Sequence, residues 1–161
     1  MTATATSIVS FTKVSLPYGW LGNMSPYPVE HKGKVYKTTE ALFQAMRFED
    51  IEIIESIRKC PSPMGAKMIA KKNRDKAIIE KGSESDIKNM RLCLELKIQQ
   101  HPLILKRLLE TGDQEIIEDT TNRNRICPWG AKKINGHWVG ENILGKMWAE
   151  LRSEIRNNRG I

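Results

Sequence analysis

Cysteine and histidine are both scarce in this 161-residue chain, three of each, and each scarcity removes a class of function. The three cysteines, Cys60, Cys93 and Cys127, are odd in number, widely spaced and form no CxxC pair, so neither a disulfide framework nor a zinc site is indicated. His31, His101 and His137 are just as scattered, and no metal and no cofactor is expected. No apolar run approaches the roughly 20 residues that cross a bilayer, and residues 1–10 lack the basic and apolar stretches of a secretory signal. A cytoplasmic location without a membrane partner is therefore expected. The GxxxxGK(S/T), GxGxxG, GxSxG and HExxH patterns are also missing, which sets aside the familiar phosphate-loop, dinucleotide, serine-hydrolase and zinc-protease chemistries.

What is present is ordinary globular material, 40% hydrophobic and 28% charged. The length suits one domain spanning 1–161, with 1–7 and 157–161 expected to be loosely held. Lysine and arginine outnumber aspartate and glutamate by 26 to 19, a net charge of +7. That balance fits an anionic partner, either nucleic acid or a phosphorylated small molecule, and it equally fits plain solubility.

Residues 8–11 form a strand candidate, and Lys32-Gly33 reads as a turn between strands 29–31 and 34–36. Helical spacing begins at Thr39, taken as the cap, with Glu40 in the first turn where the helix dipole favours a carboxylate. Further helices are expected over 51–60, over 63–72 behind the cap Ser62, over 86–99 behind the cap Ser85, and from Pro102 to a stop at Gly112. Ile116-Ile117 is a short strand candidate, and a last helix is expected over 141–157. Between them, residues 119–140 form a polar segment too long for a simple connection, and so read as functional. The fold class expected is α+β: mainly helical, with a small N-terminal β-hairpin or sheet.

The remaining chemistry-bearing residues are carboxylates, amides, arginines and tryptophans, which suit cleavage of a glycosidic bond through a cationic sugar. Glu40, Gln44 and Arg47 would lie along one edge of a helix, or else Glu40 is a solvated first-turn acid. Glu118 and Asp119 follow an apolar strand, where either a catalytic acid or a cap is common. Trp129-Gly130 could stack on a base or simply cover the core.

Several ordered motifs resemble those of the NADAR or YbiA-like family, from Phe11 to about Ile155. Tyr18-Gly19-Trp20-Leu21-Gly22-Asn23-Met24 is similar to its aromatic-Ser-Asn-Phe loop, and residues 29–36 are similar to its hairpin. Glu40-Ala41-Leu42-Phe43-Gln44-Ala45 resembles its Glu-His-x-Phe-Gln-Ala helix. Ser62-Pro63-Met64, Thr111-Gly112-Asp113, Trp129-Gly130 and Gly140-Glu141-Asn142-Ile143-Leu144-Gly145 follow in order.

The resemblance implies an α+β fold and N-glycosidase chemistry on ribosylated nitrogen compounds: riboflavin-pathway intermediates, ADP-ribose-related ligands, or ADP-ribosylated guanine in DNA. It places Glu40 as the catalytic carboxylate with Glu118 or Asp119 as its partner. Asn23, Gln44, Arg47, Trp129, Gly130 and Asn142 become substrate-binding candidates, with Asp86 in reserve.

The chain departs from the pattern at Ala41, where histidine is usual, and at Arg47, where many members carry lysine. An arginine stays protonated and forms no Schiff base with an opened sugar. The family's tryptophan ahead of the central helix and its acid ahead of Trp-Gly are also missing.

Three readings follow. The first is hydrolysis of an ADP-ribosyl or ribosyl-phosphate substrate. The second is a nucleotide-binding module that has lost turnover. The third is direct contact with nucleic acid through Lys71, Lys72, Arg74 and Lys76, or through Arg123, Arg125, Lys132 and Lys133.

Overall fold

A computed structural model describes residues 7–160, in two compact units. One unit comprises Asn23–Ile104; the other runs up to Gly22 and resumes at Leu105. The expectations for 1–6 and for 161 lie outside the described residues.

Asn23–Ile104 begins with an antiparallel hairpin, β2 (Val29–His31) and β3 (Lys34–Tyr36), in the register Val29 to Tyr36. Its two turn residues, Lys32 and Gly33, both have positive φ, the backbone that matches the twist of a two-residue hairpin. Four helices follow: α1 (Thr39–Ala45), α2 (Ile51–Lys59), α3 (Pro63–Lys72) and α4 (Glu84–Gln100). Helix α1 packs against each of the other three and is buried along its whole length. It is therefore a central helix rather than a solvated surface helix.

Two caps differ from expectation. Thr38, not Thr39, caps α1: its backbone is extended and its Oγ1 accepts from Ala41 N at 3.1 Å. The Thr39 hydroxyl instead donates to the Asn23 carbonyl. Helix α4 starts behind Ser83, whose Oγ accepts from Asp86 N, so Ser85 lies inside the helix. Serines two residues apart offer the same capping chemistry, and with Ser83 as the cap Glu84 joins Asp86 in the acidic first turn.

Helix α5 (Pro102–Glu110) leads from this unit into the second. There β1 (Ile8–Phe11) pairs in parallel with β4 (Glu115–Glu118), Phe11 opposite Glu118. Val9, Phe11, Ile116 and Ile117 are buried. Helix α6 (Ile143–Arg159) packs on β4, and its Leu144, Met147, Trp148 and Leu151 are buried. The approach is close: a Cβ on Gly145 would stand 2.1 Å from the Ile116 carbonyl oxygen.

The helix begins two residues later than expected, because Asn142 adopts φ 51 and cannot continue it backward. It also runs on to Arg159. The polar 119–140 segment holds a hairpin that its composition does not suggest, β5 (Lys132–Ile134) and β6 (His137–Val139), closed by Asn135-Gly136 at positive φ. The class is α+β and mainly helical. Among the described residues no helix is long and apolar enough to cross a membrane.

Candidate active site

In the Asn23–Ile104 unit, five of the sequence-selected residues come together. Glu40 sits in the first turn of α1, 8% exposed, its backbone N–H donating to the Asn23 carbonyl at 3.0 Å. Gln44, one turn on, donates from Nε2 to Glu40 Oε1 at 2.9 Å. Gln44 Oε1 in turn accepts from Arg47 Nη1 at 3.1 Å.

The Arg47 guanidinium grips Asp86 with two parallel bonds, Nε to Oδ1 and Nη2 to Oδ2, each 2.8 Å. Asp86 is wholly buried, at 0% exposed, and also accepts from Gly82 N. A carboxylate in that position needs such pairing, because an isolated buried charge costs several kcal/mol. The guanidinium also lies 4.6 Å from the centroid of the Phe43 ring.

Asn23 completes the group. Its Nδ2 donates to Met90 Sδ, while its buried Oδ1 has no hydrogen-bond partner among the described residues. A buried acceptor left unmade costs about 1–3 kcal/mol, so it marks a place where a donor from a ligand would be gained. Cys93 is no nucleophile here: burial pushes its thiol far up, and the charges of Glu40 and Asp86 push it further.

The other candidates lie in the second unit. Glu118 ends β4; its backbone N–H donates to Asn142 Oδ1 at 3.0 Å, and Arg123 Nη2 approaches its Oε1 at 3.4 Å. Asp119 Oδ1 accepts from the Thr121 N–H at 2.9 Å and from its hydroxyl, the geometry of a turn cap. Asn142 Nδ2 donates to the Ile116 carbonyl at 2.8 Å, so both ends of its amide are committed to the β4 backbone.

Gly130 is buried where a Cβ would stand 2.5 Å from the Glu118 carbonyl oxygen. The Trp129 carbonyl accepts from Leu144 N and the Gly130 carbonyl from Asn142 N, which docks the Trp129-Gly130 turn on the start of α6. In this unit Asn142 and Gly130 act on backbone, holding Glu118 and Trp129 in place.

The partnership of Arg47 with Asp86 is not foreseeable from the chain, since 39 residues separate them and no local pattern joins them. Among the described residues no three His, Cys, Asp or Glu side chains gather to hold a metal ion. Lys71, Lys72 and Arg74 line an open surface groove of about 620 Å³ with Met68, Ile69 and Asp75.

A mainly helical α+β chain with an amide-held glutamate in the first turn of a buried helix, matched over residues 10–156 by the family model of the NADAR domain, belongs to the NADAR family. Its relatives include the N-glycosidase YbiA of Escherichia coli (strain K12), 33% identical over 151 residues, covering 92% of this chain and 89% of that protein. An N-glycosidase of Nostoc punctiforme is 29% identical over 157 residues, covering 92% of this chain and 93% of that protein. A riboflavin biosynthesis protein of Vibrio vulnificus is 25% identical over 143 residues, covering 88% of this chain and 36% of that protein. The NMR structure of the E. coli protein YbiA aligns with a TM-score of 0.81 at 30% identity, covering 98% of this chain and 89% of that chain.

Proposed function

We propose that the chain is an N-glycosidase that hydrolyses the bond between ribose and nitrogen in an ADP-ribosyl or ribosyl-phosphate substrate, with Glu40 facing the reacting carbon. The observation that carries this reading is the buried Glu40 carboxylate, one oxygen fixed by Gln44 and the other making no hydrogen bond among the described residues. The relatives named N-glycosidases support the reaction class. The relative named for riboflavin biosynthesis supports a ribosylated pathway intermediate as one substrate, beside an ADP-ribosylated base.

The chemistry follows from the site. The bond from C1′ to nitrogen breaks with its electron pair leaving on nitrogen, and the positive charge that develops on the sugar is stabilised by the Glu40 carboxylate. Water adds to C1′; Glu40 Oε2 takes its proton, which ends on the departed nitrogen. A ribose hydroxyl donates a hydrogen bond to Asn23 Oδ1, which so gains the partner it lacks.

The test is turnover of a pyrimidine ribosylamine 5′-phosphate and of an ADP-ribosylated DNA oligonucleotide, with products resolved by chromatography. Glu40→Gln is expected to lower kcat by roughly 100-fold or more on the accepted substrate. Unchanged turnover by this variant overturns the assignment.

A second reading is favoured by the pinned state of Arg47 and by Ala41: a module that binds an ADP-ribose-like ligand without turnover. Calorimetry with ADP-ribose that shows binding, with no product from either substrate, supports that reading instead.

A further inference from the structure

Resting on Glu40 as the carboxylate at the sugar, we propose that Asp86, Arg47 and Gln44 form a positioning relay that aims one defined oxygen of Glu40 at the reacting carbon. In this relay Arg47 is a structural link and not a phosphate contact.

The direction of the relay is set by chemistry. Arginine has only donors, so the group it meets on Gln44 must be the carbonyl oxygen, Oε1. That leaves Nε2, a donor only, facing Glu40 Oε1. Reversing the amide would set two N–H groups against each other at the Arg47 end. Gln44 is thereby locked as a donor to Glu40, and Oε2 is the oxygen left for the substrate.

Each link is also held against rotation. Both Asp86 oxygens are engaged by the guanidinium, and Asp86 is further fixed by Gly82 N. The Phe43 ring packs on the guanidinium plane. The Arg47 carbonyl accepts from Ile78 N at 2.8 Å, which fixes the backbone that carries the fork. A lysine at 47 is a single point charge and cannot hold Asp86 with two parallel bonds while a third reaches Gln44.

Asp86 and Arg47 neutralise each other, so with Glu40 the group carries one net negative charge. A negative centre stabilises a cationic sugar and repels phosphate. The substrate's phosphate is therefore held away from Arg47.

Four variants test this: Gln44→Glu, Gln44→Met, Arg47→Lys and Glu40→Gln, each assayed on the pyrimidine ribosylamine 5′-phosphate and on its dephosphorylated form. Gln44→Glu keeps an acceptor for Arg47 but replaces the fixed amide donor by a second buried carboxylate beside Glu40, so the two acids compete for one proton. The relay predicts that in Gln44→Glu kcat falls roughly 10- to 100-fold and the acidic limb of its pH profile moves to higher pH, with KM changed less than about twofold. Arg47→Lys and Gln44→Met are expected to lose kcat to a similar degree, and equally on both substrates.

Wild-type kcat in Gln44→Glu, where Glu40→Gln is inactive, overturns the relay and leaves the assignment of Glu40 standing. So does a rise of KM in Arg47→Lys confined to the phosphorylated substrate. Normal turnover by Glu40→Gln overturns both. Should Gln44→Glu fail to fold, Arg47→Lys decides alone by the same comparison of the two substrates.

Discussion

Asn142 holds two backbone groups of β4 at once, one with each end of its side-chain amide. Its Oδ1 accepts from Glu118 N and its Nδ2 donates to the Ile116 carbonyl, while its own backbone sits at φ 51, where asparagine is tolerated better than most residues. Asn142→Ala leaves two strand groups unpaired in a buried setting and is expected to cost about 2–3 kcal/mol, read as a lower urea midpoint with an unchanged slope. A loss under about 0.5 kcal/mol would mean the amide is not the clamp described here.

The residue scale is also where the sequence is least informative. Glu40 and Gln44 are legible as a pair because i and i+4 meet on any helix. The tie from Arg47 to Asp86 depends on the packing of α4 against α1, which no local pattern encodes. Asp119 and Asn142 stand out for their chemistry, yet their side chains bond locally or to backbone, the more frequent fate of short polar residues beside turns and strand ends.

At the scale of elements, α4 carries a pH dependence. Lys97 is wholly buried, its Nζ donating to Ser25 Oγ at 2.9 Å, and burial pushes its ammonium down from 10.5 to about 7. Between pH 10.5 and about 7 the unfolded chain holds a proton that the folded chain does not. Stability therefore rises with pH through that window, by at most about 1.4 kcal/mol per unit from this one group, and the contribution is flat below it. Urea unfolding at pH 7, 8 and 9 is expected to show the rise in the wild type and its loss in Lys97→Met. An identical slope in the two proteins would refute it.

Elements are also the most legible level. Each helix announces itself through a cap or a proline and an apolar stripe, as Ser62-Pro63 does for α3. The β5–β6 hairpin escapes such a reading because its strands are only three residues long, too short to show an alternating pattern, although Asn135-Gly136 is a strong turn signal. The pairing of β1 with β4 joins residues more than a hundred positions apart, so each strand could be expected but not the partnership.

Across the whole molecule the net charge of +7 poses a choice between a free nucleotide substrate and one carried in nucleic acid. Exposed Lys71, Lys72, Arg74 and Lys76 lie in one unit; Arg123, Arg125 and Lys133 are exposed in the other. A nucleic-acid substrate predicts that affinity for an oligonucleotide falls steeply with salt. Replacing Lys71, Lys72 and Arg74 by alanine then flattens the slope by roughly one for each phosphate no longer neutralised. A flat response in the wild type excludes phosphate-dominated binding and leaves the free nucleotide.

The central claim is tested most directly by following one N-ribosyl substrate to completion with the wild type and with Glu40→Gln under identical conditions, quantifying the released base and the free ribosyl product together. The account predicts equimolar release of both by the wild type and a rate roughly 100-fold or more lower in the variant, with the fold intact by circular dichroism. Equal rates in the two proteins would contradict it.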